Sequence, residues 1–330
     1  MNDTPQDLAD EHELDNTSEI ETTDDHIFAT RLDSFLKESE DFRMQKMQEH
    51  QSRDFLSLTI ILASVVLGAG GFGWYLLMMG NIGMALLCMM IALLPHLFLH
   101  SWVQEPINSY KREYKKRFMP KLAKILGGLN FYPKRGISRK VLSKTVIVPA
   151  HETYRAEDCF AGKYKGAKIT FSEAVLKDRS QKQPEIFRGI FVLIELQQDV
   201  FQGHSVITTD GKLAQRLMKK FKKLPISHPP YDSQFSLLTS DDTNKGLDKQ
   251  ELFKELSEAS ALFNNAKLSA AFFAKKYIFM MIPTEEDMFE PSDVNIPITN
   301  NEAALRCKKE VEQLLSIIDI IGVYESGSKK

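Results

Sequence analysis

Between Leu56 and Leu99 the chain contains no Asp, Glu, Lys or Arg, and most of its residues there are large and apolar. A membrane-spanning helix needs about 20 apolar residues, and one unbroken helix over this interval would run about 66 Å, twice a hydrocarbon core of about 30 Å. The interval must therefore fold back. The natural turn is Gly80-Asn81 in "MMGNIGM", which gives a first span near 56–79 and a second near 82–100, joined by almost no loop. Backbone groups cannot stay unpaired in lipid, so a two-helix hairpin is the economical arrangement. Pro95 is expected to kink the second span near its end.

Inside the first span, "VLGAGGFGW" places Gly68, Gly70 and Gly73 in the G-x-G-x-x-G pattern of dinucleotide-binding turns. That fingerprint also requires an amphipathic helix and an acidic residue about 20 residues further on to hold the ribose. Neither is present, so no cofactor is expected. Glycine in an apolar span lets a neighbouring helix approach closely, and Gly68, Gly70 and Gly73 are expected to pack helices in the membrane, the three together with Gly71 facing Gly83 and Ala85. His96 and His100 lie near the end of the second span beside Trp102, where interfacial polar groups are ordinary.

The flanks set orientation. Residues 101–144 carry 12 basic and 2 acidic side chains, Arg43, Lys46 and Arg53 precede the first span, and the turn is uncharged. Lys and Arg near span ends favour the cytoplasm, so both termini are expected there. The opening residues lack the basic and apolar regions of a cleavable signal. Residues 1–54 carry 16 acidic and 5 basic side chains and are expected to be an acidic, largely disordered segment. The hairpin then occupies 55–101. From 102 to 130 a basic amphipathic juxtamembrane helix is expected, with Tyr110, Tyr114, Phe118, Leu122 and Ile125 recurring every three or four residues. Such a helix either continues the span as a stalk or lies among anionic headgroups, where Lys111, Arg112, Lys115, Lys116 and Arg117 would touch the membrane surface. Pro120 is expected to bend it. Lipid, rather than nucleic acid, is the expected partner of this basic segment.

Residues 131–330 read as a soluble α+β domain with a largely antiparallel sheet. "KTVIVP" and "KITFSEAVL" alternate like strands, and "DCFAGKYKGAKITF" reads as a hairpin turned at Tyr164-Lys165-Gly166. "FRGIFVLIEL", "FQGHSVIT" and "FSLLTS" are further strands, and "KLSAAFFAKKYIFMMIP" is two strands around Lys275-Lys276. A helix is expected over 208–224 with Leu213, Leu217 and Phe221 inward and its lysines in solvent. A second places Leu252, Phe253, Leu256, Ala259 and Phe263 inward. A last one is opened by a capping box from Thr299 to Glu302.

Chemistry is sparse. Cys88, Cys159 and Cys307 are isolated, which fits a reducing compartment, and the histidines lack zinc-binding spacing. His151 and Cys159 could act as base and nucleophile only within about 3 Å of each other. Asp158, Glu173 and Asp241-Asp242 are the other acidic candidates. Gly162, Gly166, Gly189 and Gly203 read as turn or bulge residues.

Two close-set spans, a basic stalk, and then "YRAEDCFAGKYKGAKITFSEAVL", "IFRGIFVLIEL", "FQGHSVI" and "FSLLTSDD" resemble an uncharacterised bacterial family of two-span membrane proteins with a C-terminal domain of unknown function. The resemblance runs over roughly residues 50–322. "TNKGLDKQ" stands where related sequences tend to carry an alanine-rich run. It implies no catalytic residues. The expected function is a membrane-tethered cytoplasmic binding or scaffold module with its ligand open. The alternatives are an accessory subunit of a membrane transport assembly and a membrane-anchored hydrolase. Whether the domain is an enzyme stays open, with the residues pointing more to binding. A membrane-protein partner or a homo-oligomer is compatible with the glycine-rich spans.

Overall fold

The computed structural model describes residues 25–125, 127–178, 180, 184–240, 247–285 and 293–297, together with 308, 309, 312 and 315. The chain divides into two compact units, one built from Asp33–Phe118 with Glu290–Asn300 and the other from the rest.

The first unit is a helical hairpin. Helix α1 (Asp25–Leu77) ends at a turn, and α2 (Ile82–Arg117) runs back. Gly80 takes φ +59°, a left-handed conformation that costs glycine little. The Asn81 N–H then reaches back to Tyr75 O at 3.0 Å, while its side chain caps α2 by accepting from the Met84 N–H at 3.1 Å. The turn is where the sequence puts it.

The helices themselves are longer than the apolar text. Residues 25–54, expected within a largely disordered segment, form the N-terminal part of α1, whereas 1–24 lie outside the described residues. Their acidity conceals Phe35 and Phe42, which are 5% and 7% exposed. Of the two arrangements expected for the basic helix over 102–130, the chain takes the one that continues the second helix, though not as a single helix to 130. Residues 102–117 continue α2 without a break, and only after Phe118 does a short α3 (Met119–Ile125) begin, with Pro120 in its first turn, where a missing N–H is harmless. The side chains of 95–97, including Pro95 and His96, are outside the description.

In the second unit, β1 (Asn130–Tyr132) leads to α4 (Arg139–Lys144), then β2 (Thr153–Tyr164), β3 (Ala167–Lys177) and β4 (Glu185–Glu195). Next come β5 (Ser205–Thr208), α5 (Gly211–Leu217), β6 (Lys222–Leu224), α6 (Tyr231–Gln234), β7 (Ser236–Thr239), α7 (Gln250–Leu262), β8 (Ser269–Phe273) and β9 (Tyr277–Pro283). The described strands make one sheet in the order β1-β2-β3-β4-β9-β8-β5-β7-β6, antiparallel at every pairing. The β2–β3 hairpin turns at Lys165 and Gly166, both at positive φ, which matches the right-handed twist of its strands.

The central strands are buried on both faces, so they read as unbroken apolar runs. One face presents Phe187, Phe191 and Leu193 of β4 and Tyr277, Phe279 and Met281 of β9, under Val141 and Leu142 of α4 and Leu213 and Leu217 of α5. The opposite face carries Ile190, Val192 and Ile194 beside Ile278, Met280 and Ile282, all at most 1% exposed. Glu195 sits at one end of this sheet, between Lys276 at 2.6 Å and Lys168 at 3.1 Å. Burial alone would raise its carboxyl, but the two lysine hydrogen bonds outweigh it and hold the group below the usual range.

Two local expectations fail for identifiable reasons. "KTVIVP" is not a strand: Ser138 caps α4, Thr145 ends it by donating to Leu142 O, and Val146 turns to φ +55°. The carbonyls of Val146 and Ile147 are satisfied by Arg216 rather than by a neighbouring strand. The helix expected over 208–224 stops at Leu217, because Lys222–Leu224 pair with β7 as the sheet edge. Lysines on an edge strand discourage further strand addition. Most of the expected C-terminal helix, with Thr299 and Cys307, lies outside the described residues.

Candidate functional site

Both hairpin helices are long and apolar enough to cross a membrane, and in their most apolar windows only 11% of α1 and 7% of α2 is buried. A core helix of a water-soluble protein would be covered. Leu67 is 76% exposed, Leu77 81% and Phe98 73%. The seam between the helices uses small groups. A Cβ on Gly68 would collide with Ala92 Cβ, and one on Gly71 would come 3.2 Å from Cys88 Sγ. Gly70 and Gly73 have nothing within 4 Å of such an atom, and Gly83 meets only Asn81. The geometry explains the split. At about 100° per residue, Gly68 and Gly71 share a face while Gly70 points roughly the other way. Of the three glycines in the motif, the hairpin contact is made by Gly68, and its partner is Ala92 rather than Gly83 or Ala85. Gly68→Leu should therefore destabilise the hairpin by about 2 kcal/mol or more through overpacking, whereas Gly70→Leu should shift it by less than about 0.5 kcal/mol. Thermal unfolding in detergent separates the two.

At the base of the apolar band, Arg53 donates to Trp102 O at 3.0 Å and its guanidinium lies 5.2 Å from the Trp102 ring centroid. His50 Nδ1 sits 2.8 Å from Val103 O. His100 is exposed. Beyond this ring the two helices continue as a paired stalk. Phe42 packs on Tyr110 at 5.8 Å and on Phe118 at 5.3 Å, and Phe35 meets Phe118 edge-on at 6.0 Å. Burial raises the Tyr114 hydroxyl to about 12 against an opposing hydrogen bond with Ser39. The aromatic stripe thus faces α1.

Of the five basic residues expected at the membrane surface, Arg117 pairs with Glu38 at 2.8 Å and Arg112 with Glu105 at 3.3 Å. Lys111 lies near Asp293, while Lys115 is half-buried and Lys116 exposed. Measured along an unbroken helix from His100, Lys111 is about 16 Å and Arg117 about 25 Å away, against a Debye length of about 8 Å. Headgroup contact by all five would require the stalk to lie nearly flat.

The sheet unit contains a second feature, an open cleft of about 900 Å³ at one end of β4, β9 and β8, beside α5. Its floor is apolar, from Ile147, Phe187, Leu213 and Met281. On the rim, Arg188 grips Glu185 at 3.0 Å and thereby lowers that carboxyl, and Asp210 caps α5 by accepting from the Lys212 N–H. Lys212 and Lys267 also line the cleft and, among the described residues, pair with no carboxylate. These residues come from segments far apart in the chain, so no spacing in the sequence points to them.

The catalytic candidates are not assembled. His151 Nδ1 lies 3.0 Å from Pro149 O and its ring edges Tyr154, whereas Cys159 is fully buried with Phe160 O as its neighbour at 4.0 Å. Burial pushes the Cys159 thiol up to about 12, too high for a nucleophile at neutral pH. Asp158 is buried at positive φ where β2 bulges, and Glu173 is half-buried across from Glu157. Asp241 and Asp242 lie outside the described residues.

Residues 185–322 match a family model described as "Protein of unknown function (DUF3137)". The match opens at the first residue of β4, so it takes in the strands of the cleft and leaves α1, α2 and β1 to β3 outside. No curated protein and no solved structure matches the chain.

Proposed function

We propose that the chain is a membrane-anchored binding module. The apolar band of α1 and α2 crosses a bacterial inner membrane as a hairpin, the basic flanks keep both termini cytoplasmic, and the sheet unit offers its cleft to a ligand. The carrying observation is the exposed band itself. From Phe55 to Leu77 and from Ile82 to Ser101 the helices are about 34 Å and about 30 Å long, which is enough to cross a hydrocarbon core and leaves Arg53 and Trp102 at its edge. Exposed apolar surface of this extent is not tolerated by a monomer in water.

The cleft suits a ligand with an apolar body and an acidic group, the first seated on Phe187 and Met281 and the second held by Lys212 and Lys267. The protein is expected to resist carbonate extraction from membranes, and reporters at residues 5 and 328 are expected to read cytoplasmic. Recovery in the soluble fraction, or an external signal from either end, removes the hairpin reading. Molecules carried by the detergent-purified full chain, identified by mass spectrometry, should include an acidic amphiphile that Lys212→Glu with Lys267→Glu loses. Identical profiles for the two proteins remove the cleft reading. Co-elution with a multi-span protein would favour the transport-subunit alternative.

A further inference from the structure

We infer that residues 293–297 form a clasp that completes the stalk, so that the membrane hairpin binds its own chain where that chain has left the sheet. Three observations converge on it. Arg43 of α1 is 3% exposed and holds both Glu40 carboxylate oxygens, at 2.8 and 2.6 Å. Its remaining Nη1 lies 3.5 Å from Met47 Sδ and donates to the backbone carbonyl of Val294, 251 residues further along the chain. Val294 itself is 2% exposed, although Ile296 two residues on is 57% exposed. The segment is pre-shaped for this. The Asp293 carboxylate accepts the Asn295 N–H at 2.8 Å and its side-chain amide at 2.9 Å, and the Ile296 N–H closes on Asp293 O at 2.9 Å. Those bonds, the backbone one first, hold the Asp293 carboxyl below its usual range, with Lys111 of α2 adding to the effect. Tyr110 lies where the three pieces meet: it is fully buried, and Arg43, Glu40 and Asp293 all act on its hydroxyl.

A buried guanidinium cannot leave donors unpaired without a large desolvation cost. Glu40 neutralises the charge of Arg43 but leaves Nη1 with only the weak thioether acceptor of Met47 within α1, and the Val294 main-chain carbonyl is the strong acceptor provided. The two-helix stalk is thus incomplete alone, and the segment after β9 is its third element.

Hydrogen exchange of the full chain in lipid nanodiscs tests the clasp. Val294→Asp should raise exchange at least tenfold at the amides of 294–296 and also at the stalk amides around Tyr110, while β2 to β4 stay protected. Arg43→Leu combined with Glu40→Gln, which removes the charge and its counter-charge together, should give the same two-part footprint. Val294→Ala keeps the carbonyl and should give a weaker version, which serves if the charged variant unfolds. A footprint confined to 294–296 in the Val294 variants, or to the stalk in the Arg43 variant, would show that the two elements open independently and would overturn the inference.

Discussion

Gly189→Ala is expected to destabilise the sheet unit by about 3 kcal/mol or more, lowering its melting temperature by about 10 °C. Gly189 lies within β4, opposite Ala174 on β3 and Pro283 on β9. A Cβ there would fall on the Ile282 carbonyl oxygen, 2.8 Å from Pro283 Cα and 2.9 Å from Thr284 N. All three are main-chain atoms, so no rotamer change relieves the clash. The location makes it worse. Pairing of β4 with β9 is the joint between the first four strands and the other five, and the clash sits at its cleft end. Gly211→Ala is the control. Nothing lies within 4 Å of its added atom, and it should be neutral or stabilise by about 0.5 kcal/mol. Calorimetry of the detergent-solubilised chain reads both, and equal melting temperatures would mean that β9 can shift at no cost.

That glycine also marks where the sequence was under-read. "FRGIFVLIEL" is recognisable as a strand from its apolar run, and a glycine inside such a run signals a close backbone approach as often as a bulge. The hairpin turn at Lys165-Gly166, the α7 face and the β8–β9 pair around Lys275-Lys276 were legible because each is set by residues adjacent in the chain. The stalk was half legible. Tyr110, Tyr114 and Phe118 announce an apolar face, but its partner is Phe35 and Phe42, inside a segment whose acidity suggested disorder. Their spacing with Leu32 is helical, and that was the missed signal. The cleft was not legible at all. Ile147, Phe187, Leu213, Lys267 and Met281 meet only because the strand order brings β4, β9 and β8 side by side, and strand order is a long-range property. Arg216 was similarly opaque: as a sequence it is one more cation on a basic helix, yet it satisfies the two carbonyls that let Ile147 reach the cleft.

Between pH 6.5 and pH 4 the sheet unit should lose about 3 kcal/mol of stability through His204 alone, since each unit of pKa displacement is worth about 1.4 kcal/mol. His204 stacks on Phe273 at 5.5 Å and meets the edge of Phe221 at 5.6 Å. Its Nε2 is buried with no hydrogen-bond partner among the described residues. Burial pulls the imidazole down to about 4, only partly opposed by a backbone hydrogen bond with Thr145. The sign follows from proton counting. Unfolded, the ring binds a proton below about 6.5, whereas the folded ring refuses it until about 4, so acidification over that window favours the unfolded chain. The contribution is complete above pH 6.5, shrinks as pH falls, and changes no further below pH 4. The lowered carboxyl of Glu195 acts in the same direction but only below the ordinary carboxylate range, so measurements at pH 7, 6 and 5 isolate the histidine. His204→Phe keeps an aromatic ring between Phe221 and Phe273 and removes the titration. In urea unfolding of the detergent-solubilised chain followed by near-UV circular dichroism, the wild type should weaken steadily from pH 7 to pH 5, and the variant should weaken far less. Parallel slopes for the two proteins would mean that water reaches the ring in the folded state and that His204 titrates near its ordinary value.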